Sequence, residues 1–138
     1  MLWNQSGRRS VTWLISGLVL AGCGLGGPAH NAPLPGTAAA VDMGFQSFQP
    51  TTVNIRVGQT VEWRNSSIIT HSVVDDPKLA TKPEDAALPA GATAINSGDI
   101  PAGKIFTYTF ERPGTYRYFC SHHEGDGMIG TVIVAPAS

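Results

Sequence analysis

Tyr116, Tyr118 and Cys120 recur at every second position, and the alternation stops at Cys120. A period of two puts these three side chains on one face of a β-strand. The chain then turns polar and Gly-rich, Ser121-His122-His123-Glu124-Gly125-Asp126-Gly127-Met128, before a new apolar run over 130–135 (GTVIVA). The pattern demands a strand, a tight loop and a second strand. Gly125 and Gly127 let the loop fold back without side-chain clash. A thiol, an imidazole and a thioether are thereby confined to nine residues.

The chain upstream follows the same rule. Val53, Ile55 and Val57 alternate with polar residues, Gly58-Gln59 turns the chain, and Val61 and Trp63 resume the alternation. Val73 and Val74 follow His71, residues 105–110 (IFTYTF) are β-branched and aromatic, and Pro113-Gly114 marks a turn. No stretch keeps a helical period over a useful length. Short strands joined by turns imply an all-β sandwich or barrel, with Trp63, Phe106, Tyr116 and Phe119 in its core. Residues 75–98, rich in Pro, Ala, Asp and Lys, read as an irregular loop with one helical turn near 83–88. Its acidic residues Asp75, Asp76, Glu84 and Asp85 read as solvated, with a docking patch as the alternative.

The first forty residues have a different character. Arg8 and Arg9 precede an apolar stretch of 11 residues, 11–21. About 20 are needed to span a bilayer, so this suits a secretory signal. It ends in Leu20-Ala21-Gly22-Cys23, which resembles the lipobox of bacterial lipoproteins and implies a lipid on Cys23. An ordinary cleavage site, with Cys23 unmodified, is the alternative. Export by the general or the twin-arginine route stays open. Residues 24–40 are almost wholly Gly, Ala and Pro without charge, and cannot bury enough surface to order themselves. They would reach roughly 20 Å as a coil and about 50 Å extended. His30 lies among them and is expected to be solvated. The expected organisation is a signal at 1–22, a lipidated Cys23 with a tether at 23–40, and one domain at 41–138. Loss of Arg8 and Arg9 with the signal takes the net charge from −1 to −3. With no basic run, nothing points to nucleic acid.

His71, Cys120, the histidines at 122 and 123, and Met128 supply the chemistry. Two imidazoles, one thiolate and a weak thioether are the ligand set of a blue-copper electron-transfer site. The sulfurs disfavour magnesium and calcium, which take oxygen ligands, while zinc accepts the same donors. Singly, each residue has a plain structural reading: a satisfied core histidine, an inert buried thiol, a core methionine. Their joint spacing is what carries the metal.

The pattern Pro-Gly-x-Tyr-x-Tyr-x-Cys-x-x-His-x-x-x-x-Met-x-Gly-x-Val over 113–132, with 57–65 (VGQTVEWRN) and His71-Ser72-Val73 upstream, resembles the cupredoxin family. Within it, the loop is most similar to plastocyanin and pseudoazurin. The resemblance implies a single-domain Greek-key β-sandwich with one mononuclear type 1 copper on His71, Cys120, His123 and Met128. Met128 would be the long axial ligand and the exposed edge of His123 the electron port. The Cys-to-His spacing selects His123; His122, where plastocyanin often has proline, becomes a surface neighbour. Ser72 stands where plastocyanin commonly has an asparagine that ties the two ligand loops, so that tie is expected to be weaker or differently made.

These readings lead to a monomeric carrier of single electrons between redox protein partners, tethered by lipid to a bacterial membrane and facing the periplasm or cell exterior. A periplasmic copper store or chaperone is the alternative. Such proteins usually carry Met- or His-rich segments, whereas this chain has three Met including Met1. A copper enzyme such as a multicopper oxidase would need a second centre and a His-Cys-His run. Cys120 is instead flanked by Phe119 and Ser121.

Overall fold

A computed structural model of the chain describes residues 32–138. The signal at 1–22, Cys23 and His30 lie outside the described residues. Among the described residues seven strands form: β1 (Ala39–Met43), β2 (Phe48–Gln49), β3 (Thr52–Arg56), β4 (Thr60–Asn65), β5 (Ile105–Thr109), β6 (Gly114–Phe119) and β7 (Ile129–Ala135). One sheet has the order β2-β1-β4-β5 and the other β3-β7-β6. β1 runs parallel to β4, with Val41 opposite Trp63, and β3 runs parallel to β7, with Val53 opposite Val132. Parallel partners cannot be joined by a hairpin, so the chain crosses between sheets and builds the Greek-key β-sandwich. Among the described residues, no helix is long and apolar enough to cross a membrane.

Alternation explains the core. Val53 and Ile55 of β3 are buried while Thr52, Asn54 and Arg56 are exposed. Gly130, Val132 and Val134 of β7 face the same interior. Trp63 is fully buried, with its ring 5.4 Å from Tyr118 at 88° and 5.7 Å from Phe106. Edge-on packing of this kind suits the aromatic quadrupole. Gly130 is set by the same packing, because a Cβ there would overlap the Tyr118 ring. Phe119 points to the opposite face of β6. There it joins Val74, Ala86, Ala80 and Ile129 in a second, smaller cluster.

Two expectations need correction. The ordered chain begins before residue 41: β1 starts at Ala39, and Ala38 N–H donates to Thr60 O at 2.8 Å. Leu34 N–H and the Thr37 hydroxyl donate to the carboxylate of Glu62, which is fully buried and also pairs with Arg64. Ala-Ala-Ala has no periodicity of its own; pairing with β4 and a buried carboxylate order it. The acidic loop is likewise not simply solvated. Asp75 and Asp85 are buried, Asp76 is half-buried and Glu84 is exposed. Residues 73–74 form no regular strand, only an isolated bridge from Val74 to Phe119 and to Asn96. The helical turn near 83–88 is a single 3-10 turn at Pro83–Asp85.

Candidate metal centre

Cys120 follows β6 directly and is fully buried, as the inward face of Tyr116 and Tyr118 requires. His71 belongs to the long connection between β4 and β5. It is held there by backbone bonds with Ile100, at 3.1 Å from His71 N–H and 2.7 Å from Ile100 N–H. The loop after Cys120 closes on itself: His123 N–H donates to Cys120 O at 3.0 Å, and Cys120 N–H to Met128 O at 3.1 Å. A 3-10 turn at Glu124–Asp126 ends at Gly127, whose φ of 79° favours glycine.

This folding brings three of the expected ligands together. Cys120 Sγ lies 3.6 Å from His71 Nδ1 and 3.5 Å from His123 Nδ1. The three ligand atoms all lie within 4.8 Å of one another. Met128 is fully buried in the same core cluster as Cys120. His71 is fully buried and His123 half-buried, so His123 is the histidine nearer the surface. His122 is not in the cluster; its Nε2 lies 2.8 Å from Asp99 Oδ1, and its side chain is exposed.

The surroundings aim the donors. His71 Nε2 is 2.9 Å from Ser67 Oγ, leaving Nδ1 for the thiol side. A partner on the far nitrogen fixes tautomer and ring orientation. Ser67 in turn donates to Asn65 Oδ1 at 2.7 Å, and Asn65 Nδ2 donates to Ile69 O and Ile100 O. Burial, and then the neighbouring His123, hold the His71 imidazole below its ordinary pKa against an opposing pull from the Gly44 backbone. That favours the neutral form, which is the one that ligates.

Ser72 supplies the tie between the two ligand segments. Its Oγ accepts Ser121 N–H at 2.8 Å, shares a hydrogen with Ser121 Oγ at 2.8 Å, and lies 3.9 Å from Cys120 Sγ. The tie is thus differently made, by a pair of serines. Asn65 belongs to the 57–65 run that the sequence offers, whereas Ser67, Ser121 and Glu124 stand outside any ligand pattern. Ser67 pairs with an imidazole and an amide side chain, Ser121 with a hydroxyl and Glu124 with backbone amides, and no local spacing announces such partners.

The donor set fits copper. Two imidazole nitrogens and a thiol sulfur converge, a buried thioether belongs to the same core cluster, and among the described residues no carboxylate joins the converging donors. A model of the copper-binding plastocyanin/azurin family matches residues 36–135. The chain is 37% identical over 123 residues to the chloroplast plastocyanin of Tetradesmus obliquus, covering 86% of this chain and 77% of the relative. It is 34% identical over 110 residues to plastocyanin of Nostoc punctiforme, covering 78% of each. The fold is similar to that of amicyanin from Paracoccus versutus, with a TM-score of 0.57, 25% identity and coverage of 75% and 85%. A reduced amicyanin mutant gives a TM-score of 0.59 at 24% identity, over 75% of this chain and 86% of that one.

Proposed function

The chain belongs to the plastocyanin/azurin family of copper-binding proteins, and we propose that it is a membrane-tethered carrier of single electrons between protein partners outside the cytoplasmic membrane. In this reading His71 and His123 would hold copper through Nδ1 and Cys120 through its thiolate, with the Met128 thioether as a weaker fourth donor. Bound copper supplies a one-electron Cu(II)/Cu(I) couple. The protein's part is to keep the donors still. His71 is pinned by Ile100 and Ser67, Cys120 by β6 and Met128 O, and the two segments by Ser72. Ligands that hardly move need little reorganisation when the charge changes, which favours fast transfer. The half-buried edge of His123 gives a partner its approach.

The observation that carries this reading is the convergence of two imidazole nitrogens on one buried thiol. A copper titration of the full chain, followed by visible spectroscopy, voltammetry and metal analysis with zinc as competitor, tests it. One intensely coloured, reversibly reducible copper per chain supports the carrier. Colourless Cu(I) passed readily to a competing chelator would support a store or chaperone. The tether is supported by the Leu-Ala-Gly-Cys23 run after an apolar segment. Fatty-acid labelling that Cys23→Ser abolishes, with release of the protein into the soluble fraction, is the expected result. Monomeric behaviour by light scattering completes the reading.

A further inference from the structure

The stretch between His123 and Met128 lies outside the sheets. Gly125, Asp126 and Gly127 are exposed, and the amides of Asp126 and Gly127 bond only within the loop, to His123 O at 3.1 Å and Glu124 O at 2.9 Å. Glu124 alone in this stretch turns inward, with 9% of its surface exposed. Its Oε2 accepts Thr81 N–H and its Oε1 accepts Lys82 N–H, both at 2.9 Å. A carboxylate taken out of water is strongly disfavoured unless hydrogen-bonded. Two charge-assisted bonds to successive backbone amides satisfy both of its oxygens.

The segment that Glu124 grips is fixed at both ends. Val74 and Phe119 exchange backbone bonds of 3.0 and 2.9 Å, and Ala87 and Arg117 exchange bonds of 2.9 and 2.8 Å. Between these two attachments to β6, residues 75–87 arch over the cluster of Phe119, Val74, Ala86, Ala80 and Ile129. The arch has its own bracing: Asp76 Oδ1 accepts Lys78 N–H at 2.9 Å, and Lys82 O accepts Asp85 N–H at 2.9 Å. Glu124 is thus bonded to a firm support on one side and, through the chain, to His123 on the other. His123 O accepts Met128 N–H at 3.2 Å, so a shift at Glu124 reaches both ends of the loop.

We propose that Glu124 is a positioning residue of the metal centre, clamping the ligand loop to the 75–87 arch so that His123 and Met128 hold their places. The proposal rests on the copper reading given above. Its test compares Glu124→Gln and Glu124→Ala with Asp126→Asn, which removes one charge from the same loop without touching Thr81 or Lys82. Two readouts on the full chain are needed: amide hydrogen exchange at Thr81 and Lys82, and the reduction potential, spectrum and rate of metal release of the copper-loaded protein. Glu124→Ala should speed exchange at both amides about tenfold or more, since both lose their acceptor. Glu124→Gln keeps one acceptor and should affect one amide more than the other. Both variants should shift the potential and release copper about tenfold faster than Asp126→Asn. Unchanged amide exchange would overturn the clamp. Faster exchange with a potential, spectrum and release rate equal to those of Asp126→Asn would overturn the positioning role. Failure of the copper reading itself would show earlier, as absence of metal uptake by the unsubstituted protein.

Discussion

The two halves of the metal centre are held by different means. His71 and Cys120 are fixed chiefly by backbone: an isolated bridge to Ile100, with Ser67 behind the ring, for one, and the end of β6 for the other. His123 and Met128 sit on a Gly-rich loop fixed by side chains that reach across the fold, Ser72 to Ser121 and Glu124 to Thr81 and Lys82. The difference teaches where rigidity comes from. The β6–β7 ladder that leads into Cys120 repeats its bonds, so losing one leaves its neighbours. A side-chain clamp is a single point, and removing it frees whatever it held. Substitutions in the strand-held half should therefore change stability most, and those in the loop-held half should change the metal site most.

The largest expected effect on folding is at Gly130, in the strand half. Gly130→Ala places a methyl into the Tyr118 ring, which is wedged between Phe48 and Trp63. Overpacking of this sort should cost about 3 kcal/mol, read by chemical denaturation. A loss below about 0.5 kcal/mol would show that the core yields more easily than its packing implies. Ser72→Ala should cost less, about 1–2 kcal/mol, because it strips the acceptor from Ser121 N–H. It should nevertheless weaken copper binding by roughly tenfold or more, as loss of an outer partner commonly does. If Ser72→Ala proved as damaging to folding as Gly130→Ala while sparing the metal, the contrast between the halves would fail.

The smallest effect concerns two buried carboxylates that flank the arch. Glu124 and Asp75 are both withdrawn from solvent, but their charges are handled in opposite ways. Burial pulls Glu124 upward, yet the Lys82 and Thr81 amides, with help from the Thr81 hydroxyl and the Lys82 charge, hold it below the usual carboxylate range. Asp75 accepts one amide, Ile95 N–H at 2.7 Å, and its Oδ2 has no partner among the described residues. Burial, and then Asp76, push it up to about 6. A raised carboxylate pKa means that the folded state binds a proton more tightly than the unfolded one. The resulting penalty is full above pH 6, fades as pH falls towards the ordinary value of 3.8, and is absent below it. Asp75→Asn should therefore stabilise the protein by about 1 kcal/mol at neutral pH and by progressively less in acid. Denaturation curves at several pH values would reveal this, and a gain that grew on acidification would contradict it.

The same contrast explains what was legible in the sequence. Alternation exposed β3, β4 and β6 and their inward faces, because a period of two is a local property of the chain, while β5 and β7 were readable as β-branched, aromatic or apolar runs. The convergence of Cys120 and His123 was readable for the same reason: only two residues lie between them, across one turn. β1 was missed, since Ala39 and Ala40 gain their order from β4 twenty-two residues away. Asp75 and Asp85 were misjudged because their burial depends on a fold-level arch, and nothing in an acidic loop announces that. Ser67 acts on an imidazole and an amide side chain, Ser72 and Glu124 on backbone amides or a hydroxyl, and no spacing encodes such partners. Ser72 stands out in the sequence only against the asparagine common in plastocyanin, and its bonds to Ser121 depend on a fold that brings residues 72 and 121 together.

The central claim is that His71, Cys120 and His123, with Met128, hold one type 1 copper. The most direct measurement is the visible spectrum of the Cu(II)-loaded chain beside those of Cys120→Ser, His123→Ala and His122→Ala. One copper per chain with an intense thiolate-to-copper absorption, lost in Cys120→Ser and His123→Ala but retained in His122→Ala, is the predicted result. A weakly coloured complex that survives Cys120→Ser, or one that depends on His122 instead of His123, would contradict it.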